Sequence, residues 1–511
     1  PPPPPVSSVS ISGAVTFDFV PQNTVTNGLD YAASAPRPAR GIVVEAVNAA
    51  GDTITSTVTN TNGAYFLTVP ANTNVQIRAR AQLLRTSGGT WNFTVRDNTS
   101  GNAAYVLAGA TSNSGTADST RDLFAPSGWG GTSYTGPRTA APFAILDPIF
   151  EALTAFSAVS PSTAFDAAQV FWSINNRAAT GSIANGEINS TSYTRIAGMP
   201  TILLEGTADV DIDEYDRHVI VHEFGHYVED VLARSDSVGG SHSLGNRLDP
   251  RVAMSEGWGN ALSAIVLNDT FYRDSNSIQQ ARGFSFNLEN NFFNTSGWFA
   301  EASIHSLIYD AADNVADNAD TLAGGLAAVF RALASPVYTN SIAPATIYTF
   351  TEALRAQPGI NPGGVDALLN QQNITGRGVF GIGETNDSTV PMALPVVRQI
   401  VVGAAPIEIC SIDDFGTINR IGNRKLLRFN VPSTQSLTFT MVRTSGAPDR
   451  DPDFFVFNRG NTVFVANGLP AESESITQTL NAGDYWIDAH DFNNASPNQT
   501  PGDACYNFSI Q

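Results

Sequence analysis

A chain of 511 residues is too long for one ordinary domain and points to about two to four. With 42% hydrophobic and only 14% charged residues, it can bury real cores while its surface leans on Ser, Thr, Asn and Gln. A net charge of −20 argues against nucleic acid and anionic membranes as partners, since both are met with basic patches.

Lys425 is the only lysine; the other basic residues are Arg. The two cysteines, Cys410 and Cys505, fall in one C-terminal segment. An even pair so confined suggests one disulfide and an oxidising compartment; two buried free thiols are the alternative. No apolar run reaches the roughly 18 residues that span a bilayer, and no signal peptide is visible. Pro1–Pro5 opens a Pro-rich linker over residues 1–8, which fits a chain starting after a removed targeting segment, or a tether to the cell surface. A secreted or extracellular monomer is the expectation.

Residues 9–107 read as all-β. Val9–Phe17 alternates with period two, and turn signals at Ala50-Gly51-Asp52 and Asn60-Thr61-Asn62-Gly63 separate short strands. Thr59–Pro70, with Asn62-Gly63, Tyr65, Leu67 and Val69-Pro70, resembles the core of carboxypeptidase-regulatory-like sandwich domains. That resemblance implies an accessory β-sandwich without chemistry. Residues 108–140, rich in Ser, Thr, Gly and Pro, read as a linker.

Residues 141–390 read as the catalytic domain. Pro142–Ser157 and Pro161–Ile174 have helical spacing, and Met199–Gly206 reads as a strand that would border a cleft and pair with substrate. Asp209, Asp211, Asp213, Glu214 and Asp216 follow. They suit either a Ca2+ site or the acidic start of a helix, with Asp213 as its N-cap.

A helix over about Glu214–Ala233 carries His222-Glu223-Phe224-Gly225-His226. Residues four apart share a helix face, so both imidazoles can reach one Zn2+ ion, and Glu223 stands where its carboxylate can take a proton from the attacking water. His218 shares that face and ranks below the other two as a ligand. A third ligand is needed, and Tyr227–Leu232 supplies neither the Gly nor the His of a metzincin.

Asp249-Pro250 starts a second helix that carries Met254-Ser255-Glu256-Gly257-Trp258-Gly259-Asn260. Together the two motifs resemble fungalysin- and thermolysin-type metalloproteases, the gluzincins. The resemblance implies zinc held by His222, His226 and Glu256, with Glu223 as general base. Where that family has an Asp orienting the first His, this chain has Asn260, which accepts a hydrogen bond but carries no charge. The residue after the second His is Tyr227, not the family's Gly. For the oxyanion donor, His305 and Tyr309 in Trp298–Asp310 are the candidates, with Tyr272 and His242 behind them.

Residues 391–407 read as a linker and 408–511 as a second β-sandwich. Thr479–Ala489, with Leu480, Ala482-Gly483, Tyr485 and Ile487, resembles bacterial pre-peptidase C-terminal domains. Asp449, Asp451 and Asp453 form either a Ca2+ cluster or a solvated acidic turn.

The fold expected is thus multidomain: an α+β zincin catalytic domain, mostly α with an edge-strand sheet, between two all-β sandwiches. The function expected is zinc-dependent hydrolysis of protein or peptide substrates. A non-catalytic adhesin or scaffold with a structural metal, and a zinc hydrolase of non-peptide amides, are the alternatives.

Overall fold

The computed structural model describes residues 7–291, 293, 295–315, 320–468 and 472–511; the Pro1–Pro5 stretch lies outside them. The chain divides into two compact units, residues 1–227 with 262–287 and residues 228–261 with 288–511.

In the first unit, strand Asn74–Arg85 shows why the sequence folds as it does. Val75, Ile77, Ala79, Ala81 and Leu83 alternate with polar residues and are buried, one face of a pleated strand. It belongs to a ten-stranded sheet whose main path runs Ser192–Ile196, Met199–Leu204, Ala168–Trp172, Trp91–Asp97, Asn74–Arg85, Ile42–Val47, Thr53–Val58. A smaller sheet pairs Ser8–Phe19 with Ala64–Pro70. The turn before Ala64 needs a glycine: Gly63 has φ +73°, and a Cβ there would stand 2.5 Å from the Val15 carbonyl oxygen.

Helix α1 (Ala141–Val159) packs on strands Asn74–Arg85 and Trp91–Asp97. By length and composition it could cross a membrane, but most of it is buried within the fold. Its buried Asp147 accepts a 2.9 Å hydrogen bond from Arg40 Nε.

The expected architecture is overturned here. Strand outweighs helix, 35% to 23%, and no zincin-like helical domain is shown among the described residues. Nor does a separate sandwich precede the middle of the chain. Val170 pairs in parallel with Val95 on one side and Ile202 on the other, fusing early and middle strands into one sheet. Residues 168–172, expected as helix, are this central strand. A short apolar run reads alike in either state, and a parallel strand buried on both faces shows no alternation. Met199–Leu204 is a strand as expected, but Ser192–Ile196 and Ala168–Trp172 occupy both its sides, so it offers no free edge to a substrate.

Helices α2 (Arg217–Leu232) and α3 (Pro250–Leu267) each run unbroken through the point where the chain passes from one unit to the other. The second unit then holds α4 (Glu301–Ala312) and α5 (Gly325–Leu333), helices Ile347–Arg355 and Pro362–Gln371, and a two-sheet β-sandwich. Leu427, Phe429 and Ile487 from one sheet meet Phe439, Met441 and Phe508 from the other in its core. Val397–Gln399, expected as linker, adds a parallel edge to Arg424–Val431.

Cys410 and Cys505 form a disulfide across directly opposed residues of neighbouring antiparallel strands. The bridge closes 95 residues of chain, so Cys410→Ser with Cys505→Ser should cost the sandwich ~2–5 kcal/mol, read from denaturant unfolding.

Candidate metal centre

On α2, His222 and His226 lie one turn apart with Nε2 atoms 3.1 Å from each other. Two nitrogens each about 2.05 Å from a tetrahedral zinc would stand about 3.3 Å apart, so the pair is already set for one ion. One carboxylate oxygen of Glu256, on α3, lies within 4.8 Å of a ring nitrogen from each. These donors fit zinc, which takes imidazole and carboxylate ligands.

The meeting follows from how α2 and α3 are pinned. His218 Nδ1 and Ser263 Oγ are hydrogen-bonded at 2.9 Å near one end of the pair. Ser255 Oγ donates to Glu229 at 2.5 Å near the other. These bonds set an antiparallel register in which Glu256 comes level with His226, and Asn260 level with His222. All four polar partners are buried, so a slip of register would leave them unmet. His218 is therefore a packing residue rather than a ligand, its charge suppressed chiefly by burial.

Glu223, the residue after His222, is only 7% exposed. The Tyr272 ring stands edge-on to His222, centroids 6.3 Å apart, and stacks on Phe286 at 4.7 Å. Burial, with the charges of Asp274 and Glu223, raises the Tyr272 hydroxyl well above its ordinary value, so it stays a proton-bearing donor.

His242 is held between two carboxylates, Nε2 at 3.0 Å from Glu256 and Nδ1 at 2.8 Å from Glu301. Burial works against its charge, but the hydrogen bonds to Glu256 and Glu301 prevail and push it up to about 10. The sequence offered His242 only as a lesser candidate and gave no sign of Glu301, 59 positions on.

His305, the leading donor candidate from sequence, is wholly inside the fold on α4 with both ring nitrogens shut off from solvent. Tyr309 lies one turn further along α4 and is half-buried. His305 does not belong to the group of ligand atoms around His222.

Residues 171–360, which include all three ligand candidates, match the family model described as Mycolysin C-terminal domain, a domain found in peptidases. No curated protein matches the chain. Solved structures similar to parts of it include the pre-peptidase C-terminal domain of collagenase from Bacillus anthracis. That match has 14% identity, covers 22% of this chain and 94% of the other, and has a TM-score of 0.18. A periplasmic inhibitor of g-type lysozyme from Aeromonas hydrophila is 14% identical, with 22% and 97% covered and a TM-score of 0.15. The likeness to pre-peptidase C-terminal domains expected from the sequence thus appears among these neighbours, though TM-scores so low bear no weight on the fold.

Burial pushes the His305 imidazole from 6.5 down to about 3. As pH falls below 6.5, the unfolded chain takes up a proton that the folded chain refuses, so stability is lost down to about pH 3. His305→Leu should remove that share, flattening the acid limb of unfolding stability by up to about 1.4 kcal/mol per pH unit.

Proposed function

We propose that the protein is a secreted zinc endopeptidase acting on protein or peptide substrates. The observation that carries this reading is the convergence of His222, His226 and Glu256 donor atoms within 4.8 Å, with Glu223 beside the first ligand. A purely structural metal site has no use for that carboxylate. The match of residues 171–360 to a domain found in peptidases favours peptide bonds over other amides, and the Cys410–Cys505 disulfide supports an oxidising, extracellular setting.

Zinc, when bound, would polarise the scissile carbonyl and acidify the attacking water. His222, His226 and Glu256 would hold it. Glu223 takes the proton of the attacking water and passes it to the leaving amine. Tyr272 is the hydrogen-bond donor to the developing oxyanion, because its hydroxyl stays protonated and its ring lies against His222. Asn260, level with His222 along the helix pair, orients that imidazole.

Glu223→Gln should cut cleavage of casein or a peptide library by about 100- to 10,000-fold while zinc per chain, measured by metal analysis, stays at the wild-type level. Cleavage at the wild-type rate by this variant, or wild-type cleavage indifferent to a zinc chelator, would sink the reading. Tyr272→Phe should lower kcat about 100-fold with KM little changed.

A further inference from the structure

Ahead of α2 lies a second group of ligand atoms, all within the first unit. One carboxylate oxygen from each of Asp211, Asp213, Asp216 and Asp274 lies within 4.8 Å of one from each of the others. Oxygens around a single Ca2+ ion at about 2.4 Å can stand up to about 4.8 Å apart, so the spacing suits one such ion.

The sequence alternative, Asp213 as N-cap with Glu214 and Asp216 in the first turn, does not hold, because α2 begins at Arg217 and its first turn carries no acid. Asp216 Oδ1 accepts from Gln22 at 2.5 Å, and its Oδ2 accepts from the Ser275 amide and hydroxyl at 2.9 and 2.8 Å. Asp213 Oδ2 accepts from the Thr191 hydroxyl and the Glu205 amide. Neither side chain caps α2. Asp213 and Asp216 are also almost wholly buried, at 3% and 0% exposure.

A second, independent observation points to a ligand. Oδ1 of Asp274 and Oδ1 of Asp211 are both buried, and neither accepts a hydrogen bond. No Arg, Lys or His pairs with any of the four carboxylates among the described residues, in contrast to Glu214 in the same loop, which is bound by Arg138. Four acidic groups crowded without a cation are driven towards the protonated form, first by burial and then by each other.

We propose that Asp211, Asp213, Asp216 and Asp274 bind one Ca2+ ion that ties the loop leading into α2 to the hairpin strand Phe271–Asn276. A site of carboxylates with two buried members favours Ca2+ over Mg2+, which gives up its water reluctantly. That strand carries Tyr272, so the ion holds together the two segments that flank His222. The assignment stands apart from the peptidase reading, because its readout is stability rather than proteolysis.

The test uses the full chain, stripped of divalent ions and reloaded with zinc alone. Saturating CaCl2 should raise the thermal midpoint by ~5 °C, and MgCl2 at the same concentration by much less. Asp274→Asn and the more exposed Asp211→Asn should each abolish the calcium shift. In calcium-free buffer each should melt no lower than wild type, because losing one of four crowded charges relieves repulsion. Asp451→Asn with Asp453→Asn, in the C-terminal sandwich, should keep the shift. The proposal is overturned if calcium leaves the wild-type midpoint unmoved. It is equally overturned if the shift survives in both Asp274→Asn and Asp211→Asn, or if it vanishes only in the sandwich variant. Should Asp274→Asn fail to fold, Asp211→Asn alone decides the matter.

Discussion

Three ligand atoms from two helices reach one ion only if the helices keep their register. A slip of one residue moves a side chain 1.5 Å along the axis and turns it about 100° away. Between α2 and α3 that register rests on two hydrogen bonds, His218 to Ser263 and Ser255 to Glu229. Both helices are continuous between the bonded positions, so each bond constrains the helices that carry His226 and Glu256. A buried polar group left unmet costs about 1–3 kcal/mol, and any slip would strand four of them.

Each helix is fixed in turn by buried charge. At the start of α3, Arg251 bonds Asp249 at 2.7 Å and Asp488 of the sandwich at 2.9 Å. Arg424, also at 2.9 Å, and His490 complete the set around Asp488. Burial works against the Asp488 charge, but Arg424 and Arg251 hold the carboxyl well below its usual range. Such a cluster adds little net stability over an apolar core of the same shape. Breaking it by removing one member costs ~3–5 kcal/mol, so it acts as a geometric lock. In the first unit Arg138 does the same for Glu214, with Trp172 Nε1 donating to the same carboxylate at 3.3 Å.

The convergence of His222, His226 and Glu256 was legible through the spacing of the two histidines and, for Glu256, through a resemblance of its motif. His222 and His226 share a helix face by spacing alone, and Asp249-Pro250 announces the helix that bears Glu256. The C-terminal strands and the Cys410–Cys505 bridge were legible through alternation and a lone cysteine pair. What failed was non-local. Nothing in Ala168–Trp172 says that it will lie in parallel between Trp91–Asp97 and Met199–Leu204, and this one pairing joins strands of the expected sandwich and of the expected catalytic domain into a single sheet. Asp274 was invisible likewise, being a member of the acidic group only because a hairpin folds back on the loop before α2.

The loop before α2 treats neighbouring buried acids in two ways, and the difference has consequences along the helix. Glu214 meets a guanidinium and is neutralised in place. Asp213 and Asp216, on either side, meet only hydroxyl and amide donors, which steady a carboxylate without cancelling its charge. Asp216 precedes His222 by six residues, roughly 9 Å along the axis. At an effective dielectric near 20, a unit charge there would act on a divalent ion held by His222 with about 4 kcal/mol. The state of the acidic group would therefore be felt by a metal held at His222. Protonation or a bound cation removes most of that field, whereas bare carboxylates would draw a metal more tightly to the imidazoles. The acidic group stands at the loop that leads into the helix bearing His222 and His226, and its charge sets part of the electrostatic ground for those imidazoles.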